Sequence, residues 1–176
     1  MSSAFRETLR VGKIGESKIA QYFIGKGYNV LPVYEIEIDS GKGPQLYTPE
    51  EQLIAPDMLV FKMEKCFWIE AKHKTAFTWH RNTQRWTTGI DLKHYGHYCR
   101  VDDCTPWPVW LMFLHKGGIA KDTPPKFTES PAGLFGNSLK FLRTHENHRS
   151  PNHGKSGMVY WSKDSLRFIA PIEQFS

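Results

Sequence analysis

Residues 55–74, APDMLVFKMEKCFWIEAKHK, decide the fold and carry the most informative charges in the chain. Two runs of strand-forming residues flank a short polar turn, a pattern that predicts a β-hairpin. Asp57, Glu70 and Lys72 lie inside these runs, where a buried strand ordinarily carries apolar side chains. The hairpin is therefore predicted to place charged side chains in a buried region, and their presence there needs a structural or functional explanation.

A turn centred between Met63 and Glu64 sets the register of this hairpin. It places Asp57 directly opposite Glu70, and opposed residues in an antiparallel pair have Cβ atoms roughly 4.5–5.5 Å apart. Lys72 lies two residues beyond Glu70 and points to the same face. The same register makes two further pairs, Leu59 with Trp68 and Phe61 with Cys66.

The two faces of the hairpin differ in polarity. One face carries Met58, Val60, Phe67, Ile69 and Ala71, and we expect it to join the core. The other face brings two carboxylates together, which destabilises a sheet unless their charge is relieved. Either one carboxyl stays protonated with a raised pKa, or a divalent cation lies between the two.

The pattern Pro56-Asp57, twelve intervening residues and then Glu70-Ala71-Lys72 resembles the PD-(D/E)XK nuclease superfamily. In that superfamily the motif lies on a β-hairpin. The resemblance implies an α/β fold with a restriction-endonuclease-like core, a mixed central sheet flanked by helices. It implies one nuclease-like domain over residues 1–176.

An acid on the preceding helix completes the site in this superfamily, and Glu16 matches that position. On a helix, Glu16 shares one face with Ile19, Ala20 and Phe23. An acid on an apolar face is usually avoided unless it is paired or binds a metal. Gly15, directly before it, allows another backbone or a substrate to approach closely.

The resemblance also implies a mechanism and a cofactor, Mg²⁺ or Mn²⁺. Asp57, Glu70 and the carbonyl of Ala71 would bind the metal, and Glu16 would hold a second metal or a metal-bound water. Lys72 would orient the attacking water, help to deprotonate it or stabilise the transition state. The implied reaction is hydrolysis of DNA phosphodiester bonds.

Positive charge is concentrated after the hairpin, although the whole chain has a net charge of only +5. Between residues 71 and 100, six Lys and Arg side chains stand against Asp91 alone, with aromatic residues among them. Such a segment is typical of nucleic-acid binding, but also of a solvated basic surface over core aromatics. The candidate nucleic-acid contacts are Lys74, Trp79, Arg81, Arg85, His94 and Tyr98.

His94 and Tyr98 would share one face of a helix after the hairpin. The RecB-like branch of the superfamily carries a Gln-x-x-x-Tyr motif on this helix, and here His94 stands in place of the Gln. This substitution is a departure from the RecB-like motif, so the resemblance is to the broader fold, with the Holliday-junction-resolvase or the RecB-like branch as the alternatives.

Two histidine clusters offer alternative chemistry. A zinc site formed by His94, His97, Cys99 and Cys104 is disfavoured, because on a helix Cys99 lies about 200° around from His97. The second cluster, THENHRSPNH at residues 144–153, contains three histidines close to basic residues. We expect a mobile basic loop there that contacts phosphate rather than metal.

The rest of the chain predicts an α/β pattern around the hairpin. The predicted elements are a helix over 4–24, a strand or strand pair over 28–38, a loop over 39–56, a helix over 91–101, a buried strand over 108–116, a loop over 116–131, a short helix over 137–146 and a second hairpin over 157–170 that turns at Lys163-Asp164. Three cysteines without a CxxC pair, and charges near the N-terminus, favour a cytoplasmic protein.

Together with these observations, the resemblance implies a metal-dependent endonuclease that acts on DNA. A structure-selective or junction-resolving enzyme, active as a homodimer, is the expected form, since symmetric cutting of a duplex needs two sites. Two alternatives remain open: a nucleic-acid-binding module without catalysis, and a protein-interaction module on the same fold.

Overall fold

The computed structural model describes residues 3–33, 44–120, 122–127, 129–154 and 156–175, with the backbone alone for residues 3–12. The helices are α1 (Ser3–Gly25), α2 (Leu92–Cys104) and α3 (Leu139–Leu142), with short 3-10 helices at Lys163–Ser165 and Ile172–Phe175. The strands are β1 (Asn29–Pro32), β2 (Gln45–Tyr47), β3 (Gln52–Ile54), β4 (Met58–Lys62), β5 (Lys65–Lys74), β6 (Thr78–His80), β7 (Arg85–Asp91), β8 (Val109–His115), β9 (Gly133–Ser138), β10 (Glu146–Ser150), β11 (Met158–Ser162) and β12 (Arg167–Ala170).

A mixed six-stranded sheet forms the centre, in the order β1-β4-β5-β8-β9-β12. The β5–β8 pair is parallel, and the other neighbouring strands are antiparallel. The parallel connection runs through β6, β7 and α2, since parallel neighbours require a crossover. The expected mixed α/β architecture is confirmed.

Helices cover both faces of this sheet. On one face, Ile19 and Phe23 of α1 belong to a buried cluster with Met58 and Ile69 of the hairpin. This is the face that the alternation of the hairpin predicts as core, and β4 and β5 confirm it. The helix predicted over residues 4–24 is α1.

On the other face, Tyr98 and Val101 of α2 pack with Leu111 and Phe113 of β8. The helix begins after Asp91, whose Oδ1 accepts a 2.8 Å hydrogen bond from the backbone N–H of Lys93. A second sheet, in the order β10-β11-β7-β6, closes over the same cluster.

The predicted register of the hairpin is confirmed. Phe61 pairs with Cys66, and the last pair towards the open end joins Met58 to Ile69. The turn uses Met63 with a φ of 52°, a left-handed conformation that a two-residue hairpin loop requires.

Two predictions about the strands are wrong. The part of the predicted loop that the structure describes contains a small hairpin, β2 with β3. The predicted hairpin over residues 157–170 does not form, because β11 pairs with β7 and β10, whereas β12 pairs with β9 in the central sheet. A 3-10 turn at Lys163–Ser165 redirects the chain between the two sheets.

Residues 144–153 also differ from the prediction of a mobile loop. Residues 146–150 form β10, which pairs with β11. Part of the strand predicted over 28–38 is β1, and its remainder from residue 34 lies outside the described residues. No helix in the described part of the chain combines the length and the apolar character that spanning a bilayer requires.

Candidate functional site

The open end of the β4–β5 hairpin holds two carboxylates. Asp57 directly precedes β4, and its Oδ2 accepts a 2.8 Å hydrogen bond from the backbone N–H of Ala71. Because Ala71 follows Glu70 on β5, this bond fixes the Asp57 carboxylate beside Glu70. The predicted neighbourhood of the two acids is therefore present.

Glu70 is a fully buried acid, with a residue exposure of 1%. Its Oε1 forms an ion pair with Nζ of Lys72, whose side chain is 31% exposed. Within the described part of the chain, neither carboxylate oxygen of Glu70 has a hydrogen-bond partner apart from this ion pair. Negative charge on a buried carboxylate is tolerated only beside a neighbouring positive group.

The charges of the site shift each other's pKa. Burial, followed by the negative charge of Glu70, raises the pKa of Asp57 to about 7. Burial alone would lower the pKa of Lys72, but the carboxylates of Glu70 and Asp57 outweigh it and raise that pKa. Two carboxylates thus face the single ammonium group of Lys72, and the predicted register of the hairpin already brings these two carboxylates together.

Glu16 joins the site from α1. Its side chain is half-buried, and burial together with the negative charge of Asp57 raises its pKa, while Lys72 acts in the opposite direction. Gly15 permits this approach, because a Cβ added at Gly15 would overlap the side chain of His73 on β5. The close contact between helix and strand holds Glu16 near Asp57.

The donor set fits a hard divalent cation. Carboxylate oxygens are the ligands that Mg²⁺ and Mn²⁺ prefer. The site combines three carboxylates, those of Asp57, Glu70 and Glu16, with the one ammonium group of Lys72. As the side chains stand, no three His, Cys, Asp or Glu residues of the described ranges surround a point where a metal would fit. In this arrangement Lys72 is the cation that neutralises Glu70.

Helix α2 brings His94 and Tyr98 to the same site, with ring centroids 6.2 Å apart. Burial, followed by the charges of Glu70 and Asp57, raises the pKa of Tyr98. Burial and the charge of Lys72 lower the pKa of His94. Tyr98 is only 3% exposed, so it meets the carboxylates from inside the protein.

Lys74 continues the charged face of β5 and is half-buried. Burial and the charge of Lys72 lower its pKa to about 8. Its partner in the parallel register is His115, a fully buried residue that sequence reasoning missed. His115 stacks on Phe77 with ring centroids 3.6 Å apart. The pattern in the sequence that could have identified His115 is a histidine at the end of an apolar strand.

The candidates Trp79, Arg81 and Arg85 lie on the β6–β7 hairpin. Trp79 is 8% exposed and packs against Trp86, so little of its ring can meet a base. Arg81 is exposed and pairs with Asp122 at 3.3 Å. Arg85 is also exposed and pairs with Asp164 at 3.1 Å. The two arginines can therefore reach a ligand, whereas Trp79 belongs to the protein interior.

The alternative zinc cluster is not assembled among the described residues. Nδ1 of His97 instead accepts a 3.3 Å hydrogen bond from the backbone N–H of Ile54. Cys104 is exposed, and Cys99 is half-buried next to Tyr95.

Comparisons with known proteins add a structural likeness only. No protein-family model matches the chain, and no curated protein matches its sequence. Among solved structures, the chain is similar to Hjc, a Holliday junction resolvase from the archaeal hyperthermophile Archaeoglobus fulgidus. The alignment has a TM-score of 0.49 and 8% sequence identity, and it covers 88% of this chain and 90% of that chain. A likeness at this level assigns no role to any residue.

Proposed function

We propose that this chain is a metal-dependent nuclease of the PD-(D/E)XK type that hydrolyses DNA phosphodiester bonds. One observation carries the proposal: Asp57 is held by the N–H of Ala71 beside the buried, Lys72-paired Glu70. Glu16 of α1 adds a third acid that feels the charges of Asp57 and Lys72. These are the residue types and positions that the resemblance requires.

A purely structural ion pair explains this arrangement poorly. One lysine needs one acid, and a buried pair contributes little net stability compared with apolar residues of similar volume. Here Asp57 stands as a second acid next to Glu70, and its raised pKa shows that burial and repulsion disfavour its charged form. A ligand with two positive charges would relieve that cost.

In the proposed site Asp57, Glu70, Glu16 and the carbonyl of Ala71 hold Mg²⁺ or Mn²⁺. A divalent cation, when bound, neutralises phosphate charge and promotes ionisation of water. Lys72 keeps its proton in the present arrangement, since its pKa is raised. Its ammonium group therefore orients the attacking water or stabilises the charge that develops on phosphate oxygens.

Positive side chains around the site supply the DNA contacts in this proposal. Lys74 is the near cationic candidate, and His94, whose pKa is lowered, is a near hydrogen-bonding candidate in its neutral form. Arg81 and Arg85 are exposed on the β6–β7 hairpin. Branched or otherwise structured DNA is the proposed substrate, and a homodimer is the proposed form, because resolving a junction needs two cuts.

The test is cleavage of labelled single-stranded, duplex and four-way-junction DNA with Mg²⁺, Mn²⁺ or EDTA. Glu70→Ala and Lys72→Ala should each lower the rate at least about 100-fold. Lys65→Ala is the matched control, because Lys65 is an exposed lysine at the far end of the same strand.

Four results would contradict the proposal in different ways. Cleavage that persists in EDTA, or in Lys72→Ala, would place the active site elsewhere. Binding of DNA without cleavage under any metal would favour a catalytically silent nucleic-acid-binding module. Absence of DNA binding would favour a protein-interaction module.

A further inference from the structure

The second sheet has a concave face that the candidate active site does not use. Strand alternation sends Val159 and Trp161 of β11 into the core, so Tyr160 points to the opposite side. Tyr160 pairs with Gly89 of β7, and a Cβ at Gly89 would lie 2.7 Å from the Tyr160 ring. Gly89 thus lets the tyrosine ring lie flat across the sheet.

The two edge strands of this sheet approach each other across the same face. In the order β10-β11-β7-β6, the edges are β10 and β6. In a flat sheet they would lie roughly 14 Å apart. Instead the rings of His148 on β10 and His80 on β6 stack, with centroids 3.8 Å apart and planes 11° apart. The sheet therefore curls into a cleft.

Hydrogen bonds fix both imidazoles of the stack. Nδ1 of His148 donates to Oδ1 of Asn147 at 2.8 Å, and Nδ1 of His80 pairs with Oγ1 of Thr83 at 2.8 Å. Asn147 and Thr83 also bond to each other, which links β10 to the turn between β6 and β7. Since each ring uses Nδ1 for the protein, Nε2 is the atom that faces a ligand, and in His148, whose Nδ1 carries the proton, Nε2 is an acceptor.

This histidine cleft has a volume of about 390 Å³. Side chains from the concave face line it: Thr78, His80, Thr87, His148, Ser150 and Tyr160. Exposed positive groups, Arg81 and Arg149, also line it, together with His153 and the carboxylate of Asp122. The lining thus combines flat aromatic rings with an excess of basic groups.

Of the two arginines that line the cleft, Arg81 is the one available for exchange with a phosphate. Arg81 pairs with Asp122 at 3.3 Å, and Arg149 forms a two-pronged pair with Glu146 at 2.7 and 2.8 Å. The Arg81–Asp122 pair is exposed on both sides and contributes at most about 1 kcal/mol, whereas Arg149 is held by a bidentate pair with the partly buried Glu146. A phosphate group offers the guanidinium the same planar, charge-assisted hydrogen bonds.

We propose that the histidine cleft binds one nucleotide of an unpaired DNA strand. The phosphate meets Arg81, and the base lies against the ring stack that His80, His148 and Tyr160 form, where Nε2 of His148 accepts a hydrogen bond from a base N–H. A cleft closed by both edges of its sheet admits a single nucleotide, whereas a duplex requires a broad open surface. The choice of DNA rests on the proposed nuclease function, but the binding itself is separable from cleavage.

Fluorescence anisotropy in EDTA measures this binding without any cleavage. The probes are a labelled 12-nucleotide single strand and the duplex of the same sequence, at low salt. His148→Ala and Arg81→Glu should each weaken single-strand binding at least about fivefold. Arg81 is exposed, so its substitution leaves the fold intact and keeps the test valid if His148→Ala unfolds.

The matched control is His145→Ala. His145 is also a surface histidine stacked on an aromatic ring, Phe141 at 3.8 Å, but it lies outside the cleft. The affinity of His145→Ala for the single strand should lie within about twofold of the wild-type affinity. Lys65→Ala, at an exposed lysine of β5 outside the cleft lining, should also bind normally, and because the assay runs in EDTA without cleavage, failure of the nuclease proposal leaves this measurement unaffected.

Several outcomes would overturn the proposal. Unchanged binding in Arg81→Glu and His148→Ala would remove the cleft as the site, as would an equal loss in His145→Ala. Equally tight duplex binding through the same residues would remove the preference for an unpaired strand. If inorganic phosphate competes with the single strand as strongly as thymidine monophosphate does, the proposed contact between the base and the ring stack is wrong.

Discussion

The carboxylate of Asp57 accepts a 2.8 Å hydrogen bond from the backbone N–H of Ala71. The regular ladder between β4 and β5 ends one residue earlier, at the pair of Met58 and Ile69. A side-chain oxygen thus continues the pairing where the backbone of β4 stops. This bond keeps the negative charge of Asp57 next to Glu70, and the first two predictions follow from it.

Asp57→Asn should change how stability depends on pH. The folded protein holds the pKa of Asp57 at about 7, above its ordinary value of 3.8, so the folded state binds this proton more tightly than the unfolded chain. The stability that the folded protein gains from this bound proton is fully present below about pH 4 and is lost as pH rises through 7. The variant keeps an acceptor for Ala71 and should lack this loss, gaining at least about 1 kcal/mol over the wild type between pH 4 and pH 8.

The measurement is the free energy of unfolding in urea at several pH values. Asp103→Asn, at an exposed aspartate paired with Arg143, controls for the change of charge. Parallel pH profiles for the wild type and Asp57→Asn would show that the Asp57 carboxylate is not strained by its neighbours.

Divalent cations should stabilise the wild type. If the carboxylates bind Mg²⁺ or Mn²⁺, a concentration 100 times the dissociation constant adds about 2.7 kcal/mol to the unfolding free energy. For a chain of 176 residues this corresponds to a rise in Tm of roughly 5–10 °C. Thermal unfolding with Mn²⁺ or EDTA measures it, and Asp57→Asn should lose most of the rise. An equal rise in both proteins would indicate metal binding at other residues.

Gly15→Ala should separate α1 from β5. The added Cβ would overlap His73, and overpacking of this kind costs about 1–3 kcal/mol. Because Glu16 follows directly, cation-induced stabilisation should fall as well. Gly25→Ala is the control on the same helix, since a Cβ there has open space. Unfolding in urea compares the two, and equal stability of both variants would show that α1 does not need the close approach.

His115 predicts an opposite dependence on pH. Burial, together with the charge of Lys74, lowers the pKa of His115 to about 3 from 6.5, so the unfolded chain binds this proton more tightly. Its contribution is complete above about pH 6.5 and is lost as pH falls towards 3. The expected loss is about 2 kcal/mol between pH 7 and pH 5.

His115→Leu removes the titrating group and should flatten this part of the profile. Comparison of pH profiles, rather than of absolute stabilities, separates titration from any repacking around Phe77. A slope in the variant that equals the wild-type slope would assign the acid sensitivity to other groups.

Local patterns were sufficient to predict the hairpin and its register. Alternation with a period of two assigns Met58 and Ile69 to the core, and the turn position pairs Phe61 with Cys66, as the structure has them. The spacing of Asp57 and Glu70 then follows from geometry, and the helical period places Glu16 on the apolar face of α1. In these cases the cause lies within about fifteen residues of chain.

The partners of distant strands could not be predicted in this way. The polar and apolar pattern of β11 and β12 suits a hairpin, yet the two strands join different sheets. Similarly, Trp79 lies among basic residues in sequence but is buried against Trp86. Burial is decided by everything that packs around a residue, so neighbours in sequence give an incomplete account.

The sequence by itself therefore determined the charged hairpin, the helix that supplies Glu16 and the chemistry that such residues offer. Only the tertiary structure decided that Lys72 pairs with Glu70, that His115 is buried beside Lys74, and that His80 meets His148 across a curled sheet. The physical reason is the separation along the chain between the groups that interact. Backbone geometry repeats over a few residues, whereas burial, charge pairing and ring stacking depend on groups that are far apart in the chain and meet only when it folds.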